Sequence, residues 1–208
     1  MRKLVPLVAV AAVTTAALAA PPAITISGRL VNGSACPPAT LVIEGTPVGI
    51  ASATPINPLL IGTPVRVTGA YSDAPCMSVL ASSIVTNPFQ LSICPNTRPG
   101  CEMSLDMCPS PTSGSFIVFG SLGTAVVPVT PSIGTFLLDP STLFVFASGN
   151  KTAVCEALRF FLPSNAAIIG ATVHFQAAAS PPGGAILSNR VTLTVNPPGA
   201  PCTYFECF

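Results

Sequence analysis

Few residues in this chain can carry chemistry, and their spacing argues against most of it. His174 is the only histidine. A Ser-His-Asp hydrolase needs such a residue as general base, yet no G-x-S-x-G elbow accompanies it. In the run Thr172-Val173-His174-Phe175-Gln176-Ala177, alternation places His174 with Thr172 and Gln176 on one strand face, opposite Val173 and Phe175. That is the ordinary position of a polar-face histidine. A glycosidase needs two carboxylates flanking a bond. The seven acidic residues are Glu44, Asp73, Glu102, Asp106, Asp139, Glu156 and Glu206. Only Glu102 and Asp106 are close in sequence, and they fall between Cys101 and Cys108, where solvated charge on a stapled turn explains them. No catalytic residue is assigned, and the chain reads as a non-enzyme.

The eight cysteines are the other reactive set: Cys36, Cys76, Cys94, Cys101, Cys108, Cys155, Cys202 and Cys207. Cys94, Cys101 and Cys108 recur at seven-residue steps with Met103 and Met107 between the last two, a soft-sulfur set able to hold Cu(I). Paired C-x2-4-C knuckles of structural zinc sites are absent, and thiols in an oxidising compartment become disulfides. No metal and no cofactor is therefore expected. Cys36 follows the first strand and Cys76 precedes the last long strand of its module, so antiparallel neighbours bring the two together as a pair. Closing that loop would contribute about 4 kcal/mol on the chain-entropy estimate. The pairing of the other six cysteines stays open: Cys155 in a strand joins the linker or tail, and Cys202 and Cys207 form a short terminal loop or a clamp.

The oxidising compartment follows from the first residues. Arg2 and Lys3 precede an apolar run from Leu4 to Leu18, and Ala17-Leu18-Ala19 is a small-x-small cleavage pattern. Residues 1–19 read as a signal peptide, with a mature chain beginning at Ala20 and acting as a secreted, periplasmic or cell-surface protein. The mature chain keeps six basic residues, giving a formal net charge of −1 against the seven acidic ones. It has no basic stripe, so nucleic acid is not an expected partner. After the signal no apolar stretch approaches the ~18 to 20 residues of a spanning helix. Asn32-Gly33-Ser34 and Asn150-Lys151-Thr152 match the glycosylation sequon but read as turn residues.

The elements that must position these residues are strands. Half of the residues are hydrophobic and 7% are charged, which implies an ordered chain. The 24 prolines and 16 glycines interrupt it too often for long helices and suit turns. The first module, residues 20–93, has strand candidates at Ile24 to Val31, Thr40 to Glu44, Val65 to Tyr71 and Met77 to Val85. Residues 94–112, with three cysteines, read as a Cys/Pro-rich linker. The second module, residues 113–196, has seven candidates: Phe116 to Phe119, Ala125 to Val129, Thr135 to Leu138, Leu143 to Ala147, Ala153 to Leu162, Ala171 to Ala177 and Val191 to Val195. Seven short strands match a β-sandwich. Residues 197–208 form a cysteine-containing tail.

Two resemblances sharpen this. ITISGRLVNGSAC, TLVIEGTPVGI, LLIGTPVRVTGAYSDAPC and MSVLASSIV resemble the small OB-like barrel modules of secreted bacterial proteins. The segment from Leu162 to Gly170, the Thr172 to Ala177 strand with its Gln176-Ala177 pair, and the later Ser188-Asn189 strand resemble the C-terminal sandwich of exported two-module β proteins of planctomycetes and myxobacteria. The resemblance implies an all-β fold, a small OB-like β-barrel followed by an Ig-like antiparallel β-sandwich, in an exported protein. It implies no activity. The expected function is disulfide-stabilised binding of an extracellular protein or glycan. The alternatives are a structural subunit that self-associates through strand edges and, last, a secreted hydrolase.

Overall fold

The computed structural model describes residues 21–34, 36–37, 39–93, 97–109 and 113–199. The segment read as a signal peptide, Cys94, Cys202 and Cys207 lie outside these residues. The fold is all-β. Among the described residues, no helix is long and apolar enough to cross a membrane.

Five strands close a barrel: β1 (Ala23–Asn32), β2 (Leu41–Ile43), β3 (Gly49–Ser52), β4 (Pro64–Ser72) and β5 (Ser78–Thr86), in the order β1-β2-β3-β5-β4. Strands β3 and β5 run parallel and the other pairs antiparallel. The period-2 pattern explains the interior, which Ile24, Ile26, Leu30, Ile43, Val65 and Val67 fill. The small β3 was not expected from sequence, since Gly49-Ile50-Ala51-Ser52 is too short to show alternation. Cys36, in the β1–β2 loop, is bonded to Cys76, in the β4–β5 loop, with Cα atoms 5.6 Å apart.

The remaining strands are β6 (Phe89–Ile93), β7 (Glu102–Pro109), β8 (Gly114–Ser121), β9 (Val127–Thr130), β10 (Gly134–Phe136), β11 (Phe144–Lys151), β12 (Glu156–Phe161), β13 (Thr172–Ser180) and β14 (Ile186–Thr194). A three-stranded sheet, β12-β7-β6, packs on a four-stranded sheet, β11-β8-β13-β14. Phe146 of β11 crosses the gap, its ring centroid 4.8 Å from Phe160 of β12 and 5.1 Å from Phe175 of β13.

Here the linker expectation is corrected. Glu102–Pro109 is the central strand of its sheet, with Met103, Leu105 and Met107 in the core. The alternation was present, but carried by methionine, cysteine and acidic residues of weak strand propensity. Strand β6, whose residues carried no strand expectation at the end of the barrel module, pairs with β7 instead. The second unit thus recruits two strands from upstream. Two of its seven expected strands, β9 and β10, leave the facing sheets to form a separate hairpin.

That hairpin joins the two units. Thr135 of β10 donates its hydroxyl to the Thr25 carbonyl at 2.7 Å, and Thr25 donates to the Pro131 carbonyl at 2.7 Å. Arg66 of β4 donates to the Ser132 carbonyl at 2.6 Å, and Leu137 enters the barrel core. This is why Thr25 and Ser27, polar positions on the outer face of β1, are buried.

One local device occurs in both units. Asn57 and Asn165 each accept a hydrogen bond from the backbone N–H two residues on and cap a single 3-10 turn. Gly62 and Gly170 follow at φ of 82° and 83°, which a side chain would strain. Each glycine N–H bonds across to a neighbouring strand end, at Leu30 and Val195, and β4 or β13 begins. The segments Asn57-Pro-Leu-Leu-Ile-Gly62 and Asn165-Ala-Ala-Ile-Ile-Gly170 carry the same polar, apolar and glycine positions for this reason.

Candidate functional site

The docking of the barrel on the outer face of the four-stranded sheet leaves a cleft of about 470 Å³ between them. Its position rests on a polar network beneath it. Gln176 of β13 is fully buried. Its Oε1 accepts from the Leu137 N–H at 2.8 Å, and its Nε2 donates to the Thr135 and Ser188 carbonyls at 3.1 and 2.9 Å. The amide thereby clips the tip of the β10 segment onto the sheet. Ser188 accepts from the Ala177 N–H at 2.9 Å, where the β13–β14 register shifts. Asn189 reaches the other way: its side chain bonds both the N–H and the C=O of Leu91 at 2.9 and 2.8 Å, acting as a strand partner for β6. Gln176, Ser188 and Asn189, prominent in the sequence as a glutamine strand and a Ser-Asn pair, are therefore structural groups that fix both cleft walls.

Next to them, Arg190 lies opposite Gln176 in the β13–β14 ladder. Its guanidinium donates to the carbonyl of Gly45, in the turn after β2, and so ties the sheet to the barrel. It approaches so closely that a Cβ on Gly45 would stand 2.7 Å from a guanidinium nitrogen. Burial depresses the Arg190 pKa, but a guanidinium stays charged at any physiological pH. Among the described residues it makes no ion pair. On the barrel side, Arg29 and Glu44 form an exposed pair at 3.7 Å, a contact worth at most about 1 kcal/mol. Gln90, Ser92 and Thr192 add neutral polar groups, while Pro64, Ile93 and Val191, each partly exposed, are the apolar members of the lining. Two of the chain's charged strand residues thus meet at one place. The only sequence signal for it was a charge, Arg29 or Arg190, interrupting an otherwise neutral strand.

His174 stands at the edge of this region. Its Nδ1 is 3.0 Å from the hydroxyl of Thr192, its cross-strand neighbour and a cleft residue. Burial first, and the Arg190 charge second, hold its pKa below the usual imidazole value. The unfolded chain therefore takes up a proton more readily than the folded one. His174's contribution to stability is complete above the usual imidazole value and is lost as pH falls through it toward the folded pKa. A His174→Gln variant is expected to fold with a change of no more than about 1 kcal/mol. Its denaturation midpoint should also fall less between about pH 7 and pH 5 than the wild type's. Steeper acid loss in the variant would contradict the assignment. A hydrolytic activity in the wild type that vanishes in His174→Gln would instead make this residue a general base.

The other sequence candidates are dispersed. Glu102 and Asp106 lie on one straight strand four residues apart, about 13 Å along it, outside the spacing of either glycosidase geometry. They are not on a solvated turn, and Asp106 is buried. Met103 and Met107 are core residues facing away from solvent. Cys108 is bonded to Cys155 with Cα atoms 4.5 Å apart, and Cys101 is also in a disulfide. Among the described residues no cysteine is free. Asn32 and Asn150 are both exposed.

No protein-family model, no curated protein and no solved structure matches this chain.

Proposed function

We propose that this is a secreted, non-enzymatic binding protein, stabilised by disulfides, that takes an extracellular ligand in the cleft between barrel and sheet. The observation that carries the reading is the cleft itself. It has the volume of a small-ligand site, and it combines apolar surface with a few charged and neutral hydrogen-bonding groups. The disulfides suit an oxidising compartment, and the charged and apolar start of the chain supports export.

We read the barrel as OB-like, supported by its 1-2-3-5-4 closure, and the two facing sheets as an Ig-like sandwich, in line with the resemblance to exported two-module proteins of planctomycetes and myxobacteria. Barrels of the OB type grip ligands with their β1–β2 and β4–β5 loops. Here the Cys36–Cys76 bridge fastens those two loops to each other. That favours the junction over the usual barrel face. The test is a glycan and extracellular-protein binding screen of the purified protein, repeated with Thr192→Trp. Thr192 is an exposed cleft residue, so the indole fills the cleft without entering a core. Binding should be abolished in the variant; binding that survives places the site elsewhere.

A second reading, a self-assembling extracellular subunit, has one observation in its favour. Strand β11 pairs only with β8 among the described residues, and Phe144 and Val145 are exposed on it. Such an edge is a template for pairing with another chain. Sedimentation of wild type and Val145→Lys would separate monomer from edge-paired assembly.

A further inference from the structure

We propose that the cleft recognises a carboxylate-bearing saccharide, of the uronic-acid kind, with Arg190 as the principal anion contact, Arg29 as a second, and Glu44 as a gate that opposes the ligand's charge. This rests on the cleft being the binding site. The charge distribution is the first support. Of the six basic residues among the described positions, two line this one cleft. Glu44 is placed to neutralise only Arg29. The Arg190 guanidinium is partly buried, spends one donor on the Gly45 carbonyl and meets no carboxylate of the described chain. A partly desolvated cation without a counter-charge is costly to hold, and a guanidinium has further N–H groups matched to the two oxygens of a carboxylate.

The neutral groups give the second support. Thr192 presents a hydroxyl beside Arg190 on the same strand face, and Gln90 lines the cleft from β6. One of its amide N–H groups donates to the Asn87 carbonyl at 3.1 Å, which leaves its oxygen as an acceptor and its second N–H as a donor. Hydroxyl-rich rings need acceptors and donors interleaved with apolar surface for their C–H faces, and the partly exposed Pro64 and Ile93 of the cleft lining supply the latter. A simple inorganic anion would leave these groups unused. The cavity of about 470 Å³ is large for such an ion and of the size that small organic ligands occupy.

The experiment uses trigalacturonic acid, its fully methyl-esterified form and triglutamate as probes, followed by calorimetry and by the imidazole resonance of His174. As the only histidine, that residue gives one unambiguous signal near the site. The charges acting on the ring come from Arg190 on β14. An anion on that guanidinium should raise the His174 titration midpoint. Expected are binding of the acid, about tenfold weaker binding of the ester, and loss of about tenfold or more in Arg190→Gln. Glu44→Gln should tighten the acid a few-fold, because a repulsive charge is removed. A merely structural role for Arg190 and Glu44 would weaken binding in both variants. Equal binding of acid and ester overturns the carboxylate inference while leaving the cleft as a site. Equal binding of triglutamate overturns the saccharide part. Failure of the acid to bind overturns the inference, and the Thr192→Trp screen then decides the cleft independently. Binding of the acid that leaves the His174 signal and both charge variants unchanged overturns both.

Discussion

Gln176→Leu is expected to destabilise the protein by about 3 kcal/mol or more. The side chain is fully buried and satisfies three backbone groups, the Leu137 N–H and the Thr135 and Ser188 carbonyls. Leucine has similar volume but no polar atom, so all three groups lose their partner while still buried, at roughly 1–3 kcal/mol each before relaxation. The loss also reaches the interface between the units, because Thr135 and Leu137 are the residues that touch Thr25 and the barrel core. Gln176→Glu tests the directionality. It keeps an acceptor for Leu137 but turns a carboxylate oxygen toward two carbonyls, and should be as damaging above the carboxylate pKa. Urea unfolding followed by circular dichroism measures the cost, and amide exchange at Leu137 locates it. A loss below about 1 kcal/mol in Gln176→Leu would show that the network does not hold the hairpin.

Removing the Cys36–Cys76 bridge is expected to cost about 4 kcal/mol, since it closes a loop of 40 residues whose entropy is restored to the unfolded chain. The barrel has few other resources, because it is small and a domain of its size has a total stability of only about 5 to 10 kcal/mol. Cys36 is also buried, so the double alanine variant loses packing as well as the cross-link. The variant should unfold at lower denaturant, with the barrel strands losing exchange protection before the two-sheet core. Coincident loss in both units would mean that the interface couples them into one cooperative transition, and an unchanged midpoint would refute the estimate.

The residues themselves were enough for several levels of this description. Apolar and β-branched alternation, with prolines and glycines every few residues, determined an all-β chain, because those patterns suit a pleated half-buried strand and nothing longer. The positions of Cys36 and Cys76 at strand ends named their partnership. The isolation of His174 and the scatter of the carboxylates argued against a catalytic set before any geometry was known. The echo between Asn57 to Gly62 and Asn165 to Gly170 went unread in the sequence, because its meaning depends on the structure showing that an Asn cap and a left-handed glycine precede a strand.

Tertiary structure alone decided where each strand belongs. Sequence period tells which face of a strand is apolar but not which neighbour covers it. Met103, Leu105 and Met107 therefore became the centre of a core instead of a linker, and β9 and β10 left the facing sheets. The buried hydroxyls of β1 and the amide of Gln176 look like ordinary polar-face residues in the chain; they are interior because a hairpin distant in sequence covers them. The cleft arises in the same way. Arg29 and Glu44 come from the barrel, and Gln90, Arg190 and Thr192 from the two sheets. More than 140 residues separate Gly45 from the guanidinium that binds it. A site assembled across an interface has no local spacing to read, because the contacts that create it are set by how two folded surfaces dock.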